Sequence, residues 1–368
     1  MMESASRELE RMRESPDAWQ EVRYERAKDG DANAVRRAKV LWALQYDRRP
    51  GDLPLVRWLA GQEAVCRHEA PFQGLSEEAE LAGFLLAEYR QVEDVWLHWE
   101  IKVANFDTWC GYDQEHLFAA GVRRTIAFVR DSGHADRDAV LERLLDEKGR
   151  PCVSEKDLAK WSERNRSRFP ADPAAEDQLT WVRRAQLTGD RELTRQELDR
   201  WAAGRERDKE TLGLLRHYLA GLGAFAEAAR AQRESLAFAG NDWESASAWR
   251  TLAGLERQAG DHHAAWEALR ECRRALDGVS GWQEVGLGRM YVEELFLLAG
   301  SAEGELAESV FAEADRQARD VPGLSLVVLE SAAEAAGKVG DRARAAHYRK
   351  LRDAERQRID NAIGRAGR

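Results

Sequence analysis

The chain has 368 residues, 43% of them hydrophobic and 33% charged, with a formal net charge of -10. That length and apolar fraction suffice for a substantial core, in two domains or in one long solenoid. The acidic balance gives no overall attraction for nucleic-acid phosphates or anionic lipid, which need a basic face, so neither nucleic acid nor membrane is an expected partner.

The N-terminal run Met1 to Glu8 lacks the apolar core of a signal peptide, and no later window approaches the run of about 20 apolar residues that crosses a bilayer. A cytoplasmic location is expected. Ser15-Pro16-Asp17 reads as an N-cap followed by proline at the first helical position, and Asp31 is placed to cap the helix carrying Val35, Ala38, Leu41, Trp42 and Leu44. That helix stops before Pro50-Gly51. Ser76-Glu77-Glu78 opens a further helix to about Arg90, and Val92 to Val103 forms an apolar, Trp-rich one holding Trp96 and Trp99. Phe106 to Gly111 is expected as a loop, followed by helices over Glu115 to Arg130, Arg137 to Glu147 and Ser154 to Arg166. The last is opened by a Ser154-x-x-Asp157 capping pattern.

Phe169-Pro170-Ala171-Asp172-Pro173 then breaks the chain, because proline cannot continue a helix and biases its predecessor towards extended geometry. This break separates an irregular helical region, residues 1–170, from residues 174–368, where glycines recur. Gly223, Gly260, Gly300 and Gly340 stand 37, 40 and 40 residues apart, each between an apolar helical segment and an Ala-rich one. Each glycine is expected to end one helix, with Ala228, Ala265, Ala307 and Ala345 inside the next. Trp181, Ala185, Gly189-Asp190, Leu198 and Trp201 make one further unit before them. Self-similarity at this period means stacked helix pairs, none of which can bury its apolar face alone. The last helix, Ala343 to about Ile363, is rich in Arg and reads as a solvated cap. No pair of alternating β-branched runs is joined by a hairpin turn, so the fold is expected to be all-α.

Four cysteines, Cys66, Cys110, Cys152 and Cys272, form no C-x-x-C pair and read as free thiols. The thirteen tryptophans read mainly as wedges between helices.

The repeats resemble the tetratricopeptide family over about residues 176–358. Trp249, Leu252, Gly260-Asp261, Ala265 and Leu269 fit its pattern best, with Cys272 at its second small position. Leu215, Leu219, Gly223, Phe225, Ala228 and Ser235 fit nearly as well. Phe296, Gly300, Ala307, Phe311 and Ala314 fit with two extra residues in the turn. Ala332, Ala336, Gly340-Asp341 and Ala345 follow, with Arg349 where the family prefers an aromatic. The spacing matches longer variants found in bacterial regulators and kinesin light chain, and the closing proline is missing from every unit. The resemblance implies a right-handed α-solenoid whose first helices line an inner groove. It places Arg183, His217, Arg250, Arg257 and Gln258 on the groove of the earlier units, and Glu294, Glu330, Glu334 and Lys338 on the later ones. Such a bipolar groove suits a peptide or protein segment with separated charges. It departs from the family's uniformly basic clamp for a C-terminal carboxylate. The alternative for each position is a solvated surface charge.

His98, Glu100, Asp107, Cys110, Asp113 and His116 form the only dense group of reactive residue types. Asp113 and His116, three residues apart, are expected on one helix face. Carboxylate and imidazole sets of this kind hold metals or pass protons. Yet H-E-x-x-H is absent, as is a second E-x-x-H, and a structural loop around Trp109 accounts for the same residues. His262-His263 reads as an exposed pair in a repeat turn. There is no phosphate-binding G-x-x-x-x-G-K-[ST], Gly221-Leu222-Gly223 follows a helix instead of a strand, and Gly278-Val279-Ser280-Gly281 is not a nucleophile elbow. No cofactor and no metal is expected. The leading expectation is an interaction protein that binds a peptide or protein. An enzyme or metal-dependent activity at the histidine cluster and a peptide-responsive regulatory sensor are the alternatives. These packing motifs specify fold well and ligand poorly, and they carry no signal for oligomeric state.

Overall fold

The computed structural model describes residues 1–28, 30–70 and 74–366, with side chains up to residue 362. The described chain is all-helical apart from a two-stranded ladder and an isolated bridge, and it divides into compact units Met1–Asp190 and Arg191–Arg368.

In the first unit, α1 (Met2–Glu14) and α2 (Ala34–Tyr46) flank a hairpin in which β1 (Arg26–Ala27) pairs antiparallel with β2 (Gly30–Asp31). At two residues per strand the ladder is too short to leave an alternating pattern in the sequence. Ser15 caps a short 3-10 turn, Pro16–Val22, through the Asp17 N–H. Asp31 does not cap α2, whose N-cap is Asn33. Its carboxylate instead accepts from the Glu25 and Asn33 amides and pairs with the buried Arg37 at 2.6 Å. Arg37 also meets Glu63 on α3 (Leu53–Glu69) at 2.6 Å, so two carboxylates compensate one buried guanidinium.

α4 (Glu77–Ala87) opens at Ser76, whose hydroxyl accepts from the Ala79 N–H. α5 (Val95–Lys102) follows. Phe106 to Gly111 is not a loop but a short helix, α6 (Phe106–Gly111), because Asn105 and Thr108 cap each other's backbone amides reciprocally. The continuous helix expected over Glu115 to Arg130 is likewise broken into a 3-10 turn, Gln114–Phe118, and α7 (Val122–Asp131). Gly121 stands between them with φ of 105°. α8 (Arg137–Leu144) and α9 (Glu155–Arg168) complete this run, α9 with the expected Ser154–Asp157 capping box. Phe169, at the proline break, is buried and stacks on Phe84 at 5.5 Å. α10 (Gln178–Leu187) belongs to this unit too. One core gathers Leu41, Trp42, Leu59, Leu85 and Tyr112; a second gathers Trp99, Phe118, Ile126 and Leu144.

In the second unit α11 (Arg191–Ala202) is followed by four helix pairs. These are α12 (Lys209–Gly221) with α13 (Phe225–Ser235), α14 (Asp242–Gln258) with α15 (His262–Leu276), α16 (Gly286–Ser301) with α17 (Gly304–Asp320), and α18 (Leu326–Lys338) with α19 (Arg342–Ala366). Within each pair the two helices pack together, and α14 also packs on α16 and α16 on α18. The expected alanines Ala228, Ala265, Ala307 and Ala345 are all buried. Gly223, Gly260 and Gly340 adopt φ of 71°, 85° and 80°, the left-handed turn conformation that ends a helix. Gly300 does not. It lies inside α16, and the positive φ of that turn falls on Gly304. The two extra residues noted in the sequence are thus taken up by prolonging the helix. The last two positions of the C-terminal Gly/Arg run, Gly367 and Arg368, lie outside the described residues.

Candidate functional site

α13 packs against both α12 and α14, and between the three helices opens a cavity of about 340 Å³. Arg216 on α12 lines it with Gln232 on α13 and Trp243 and Thr251 on α14. The Arg216 guanidinium donates to Gln232 Oε1 at 2.7 Å, while the Gln232 amide group donates to the Ala248 carbonyl at 2.9 Å. Gln232 is 1% exposed, so this chain fixes the Arg216 head against the cavity wall. Arg250, on α14, lies close enough that its charge, after partial burial, helps hold the Arg216 guanidinium below its usual range. The Arg250 Nε is buried with no hydrogen-bond partner. Among the described residues, neither arginine forms an ion pair with a carboxylate. Lys209, at the rim, does pair with Glu244 at 3.0 Å. The indole of Trp243 stands 44% exposed at the same rim.

The residues assigned to the groove by family offset are not a row of bare charges. Arg257 and Glu294, expected at opposite ends of a bipolar groove, meet across α14 and α16 at 2.6 Å, and Glu294 is 5% exposed. Basic and acidic ends are therefore not separate at this point. Gln258 donates back to the Gly254 carbonyl of its own helix, and His217 is exposed, edge-on to Tyr218. Glu330 pairs with Arg352 at 3.7 Å, and Lys338 donates to the Gly300 carbonyl at 3.0 Å. Lys338 and Glu334 share a second cavity, about 350 Å³, with Phe296 and Ser331. Arg183 lies on α10 in the first unit, where it pairs with Glu77 at 2.9 Å. Arg250 remains of the offset-assigned arginines as one without a carboxylate. Its companion Arg216 was missed because the offset selects His217, the next residue along the helix.

The histidine group in the first unit splits in two. His98 and His116, 1% and 3% exposed, come together with ring centroids 5.3 Å apart. Tyr112 organises them: its hydroxyl shares a 2.8 Å hydrogen bond with His98 Nδ1, and its ring stacks on His116 at 4.1 Å. The buried Lys102 ammonium donates to the Tyr112 carbonyl. Asp113 is not a partner of His116. Its carboxylate accepts from the Trp161 indole at 2.9 Å, and Trp161 meets His116 edge-on. Burial pushes His98 down to about 3 and His116 well below the ordinary histidine range, the latter with help from the His98 and Lys102 charges. Both imidazoles are therefore neutral. His98 Nε2 and His116 Nδ1 have no hydrogen-bond partner. Asp107 is half-buried and Cys110 exposed, both on α6, while Glu100 is exposed on α5. Among the described residues, no three His, Cys, Asp or Glu side chains converge in a metal-holding group.

No protein-family model matches this chain, and no curated protein sequence matches it either. No described helix is long and apolar enough to cross a membrane.

Proposed function

We propose that the chain is a peptide- or protein-binding scaffold, its second unit a right-handed, tetratricopeptide-like solenoid that receives an extended segment along its first helices. The observation that carries this reading is the cavity between α12 and α14, lined by Arg216, which among the described residues has no carboxylate partner and is held by Gln232. Stacked helix pairs bury their small residues between helices and leave polar side chains on the first-helix surface for a partner. Unpaired guanidinium groups in a partly buried cavity cost desolvation energy, which a bound segment carrying acceptors recovers. The positive φ of Gly223, Gly260 and Gly340 supports the family resemblance.

The test is panning of a random-peptide display library on the full chain and on Gly213→Trp. Gly213 lines the cavity from α12, and a Cβ there meets nothing within 4 Å, so the substitution starts from open space and its indole is aimed at filling the cavity. The expected result is enrichment of peptides that bind wild type and fail on the variant, whose circular dichroism and melting temperature stay unchanged. Peptides that bind both chains equally, or no enrichment, overturn the reading.

A further inference from the structure

We infer that the cavity between α12, α13 and α14 is a receptor for one carboxylate, the side chain of an acidic residue in the bound segment. The inference rests on the scaffold reading and names what its cavity selects. Three charged side chains line that cavity, Lys209, Arg216 and Glu244. Glu244 is taken up by local partners, because its Oε2 atom meets the Lys209 ammonium at 3.0 Å and accepts from the Gly240 N–H at 3.2 Å. Lys209 and Glu244 thus cancel, and the lining keeps one positive charge, on Arg216. Among the described residues no carboxylate pairs with that guanidinium; it donates to the neutral Gln232 Oε1 at 2.7 Å. Gln232 is itself 1% exposed and tied to the Ala248 carbonyl, so Arg216 is oriented before any ligand arrives.

Charge and donor counting then select the ligand. A single carboxylate neutralises the lining, whereas a dianion leaves a negative charge uncompensated beside Glu244. A guanidinium has five N–H donors in a planar fork, so Arg216 can hold Gln232 and still engage both oxygens of a carboxylate. The hydroxyls of the lining add a second criterion. Ser235 Oγ donates to the Gln232 carbonyl at 2.8 Å, and Thr251 Oγ1 donates to the Ser247 carbonyl at 2.9 Å. With their protons so placed, both oxygens offer the cavity only acceptor lone pairs. These suit the N–H groups of a peptide backbone and oppose further anionic oxygens. An acidic residue inside a peptide supplies both parts, a carboxylate for Arg216 and amide donors beside it. The cavity, at about 340 Å³, has room for that side chain, with the Trp243 indole at the rim to cover its neighbour. One uncompensated cation is also not the uniformly basic clamp of the tetratricopeptide family.

The experiment is titration calorimetry on the full chain with heptapeptide pools, acetylated and amidated at their ends, centred on Glu, Asp, Gln or phosphoserine and randomised over uncharged residues elsewhere. A Gln-centred pool with a free C-terminal carboxylate presents the same group from its other source. The expected result is saturable binding of the Glu or Asp pool, about tenfold or more tighter than the Gln, phosphoserine and free-carboxylate pools. Arg216→Gln brings the acidic and Gln pools to parity, a loss of preference that a merely structural role does not produce. Arg230→Gln, an exposed cation outside the cavity, keeps the preference. Added salt narrows it. Absence of saturable acidic-pool binding overturns the inference, as does a preference that survives Arg216→Gln or a phosphoserine or free-carboxylate pool that binds as tightly. If Gly213→Trp still abolishes peptide capture in that event, the scaffold reading stands without it; loss of both results overturns both.

Discussion

Gly83→Ala is the sharpest probe of the first unit. Gly83 lies inside α4, where alanine would ordinarily gain about 0.5–1 kcal/mol over glycine. Here a Cβ would stand 2.1 Å from the Tyr112 hydroxyl and 2.8 Å from two of its ring carbons. The Tyr112 side chain cannot step aside. It is 1% exposed, stacked on His116 and hydrogen-bonded to His98. Overpacking of this kind costs about 1–3 kcal/mol. Displacing the hydroxyl adds a second unpaired nitrogen to His98, whose Nε2 already lacks a partner, for about 1–3 kcal/mol more. The net expectation is a loss of about 2–4 kcal/mol, or roughly 6–10 °C in the melting transition of a unit this size. Differential scanning calorimetry with urea unfolding reads it. Tyr112→Phe removes the closest contact, so the double variant Gly83→Ala/Tyr112→Phe loses less than the sum of its parts. A neutral or stabilising Gly83→Ala, or strict additivity, refutes the close approach of α4 to this ring.

Gly260→Ala and Gly340→Ala each destabilise the second unit by about 1–2 kcal/mol, because an L side chain resists positive φ. Gly300→Ala, at a helical position with open space, stabilises it by about 0.5–1 kcal/mol; thermal melts of the three distinguish them. Arg257→Ala strands the buried Glu294 carboxylate and costs about 3 kcal/mol in urea unfolding, while Arg257→Met with Glu294→Leu recovers most of it. Acid also acts through the histidines. His98 and His116 stay neutral in the fold and protonate only when unfolded, so stability is complete above about pH 6.5 and falls as pH drops below it. The loss at pH 5 is about 2 kcal/mol for each. Glu78, pushed up to about 7 by burial and by the Glu63 charge, has the opposite sign, losing stability as pH rises from the ordinary carboxyl range to about 7. Urea midpoints of Glu78→Gln at pH 7 and 5 therefore isolate the histidine effect. A midpoint unchanged between these pH values shows that the two rings take up protons in the fold.

Helices announced themselves where a local rule decided them. Ser76 and Ser154 cap as their spacing demands, and three glycines end helices because only a residue without Cβ enters the left-handed turn cheaply. The Gly300 reading failed because a glycine is also tolerated inside a helix, and no local signal separates the two uses. The helix Phe106–Gly111 was within reach of the sequence, since Asn105 and Thr108 stand at capping-box spacing. What local rules do not contain is the partner of a charge. Asp31 has the composition of a cap and serves Arg37, six residues on, because the fold buries that guanidinium between Asp31 and Glu63.

The same limit explains the candidate site. A family offset names a position along a helix, and successive positions turn by about 100°, so an error of one residue carries the side chain to a different face. His217 is accordingly exposed while Arg216 lines the cavity. Charge is harder still, because its meaning depends on what the neighbouring helix supplies. Arg257 and Arg250 stand two turns apart on α14 and look equivalent in the sequence. Glu294 on α16 neutralises Arg257. Arg250 instead keeps a buried Nε with no hydrogen-bond partner, and Arg216 is held by Gln232, a neutral acceptor that orients a guanidinium without discharging it. An acid at residue 232 would have neutralised Arg216 internally. The amide there leaves the Arg216 charge uncompensated, and it is this residue, invisible to any charge count, that sets how Arg216 meets the cavity.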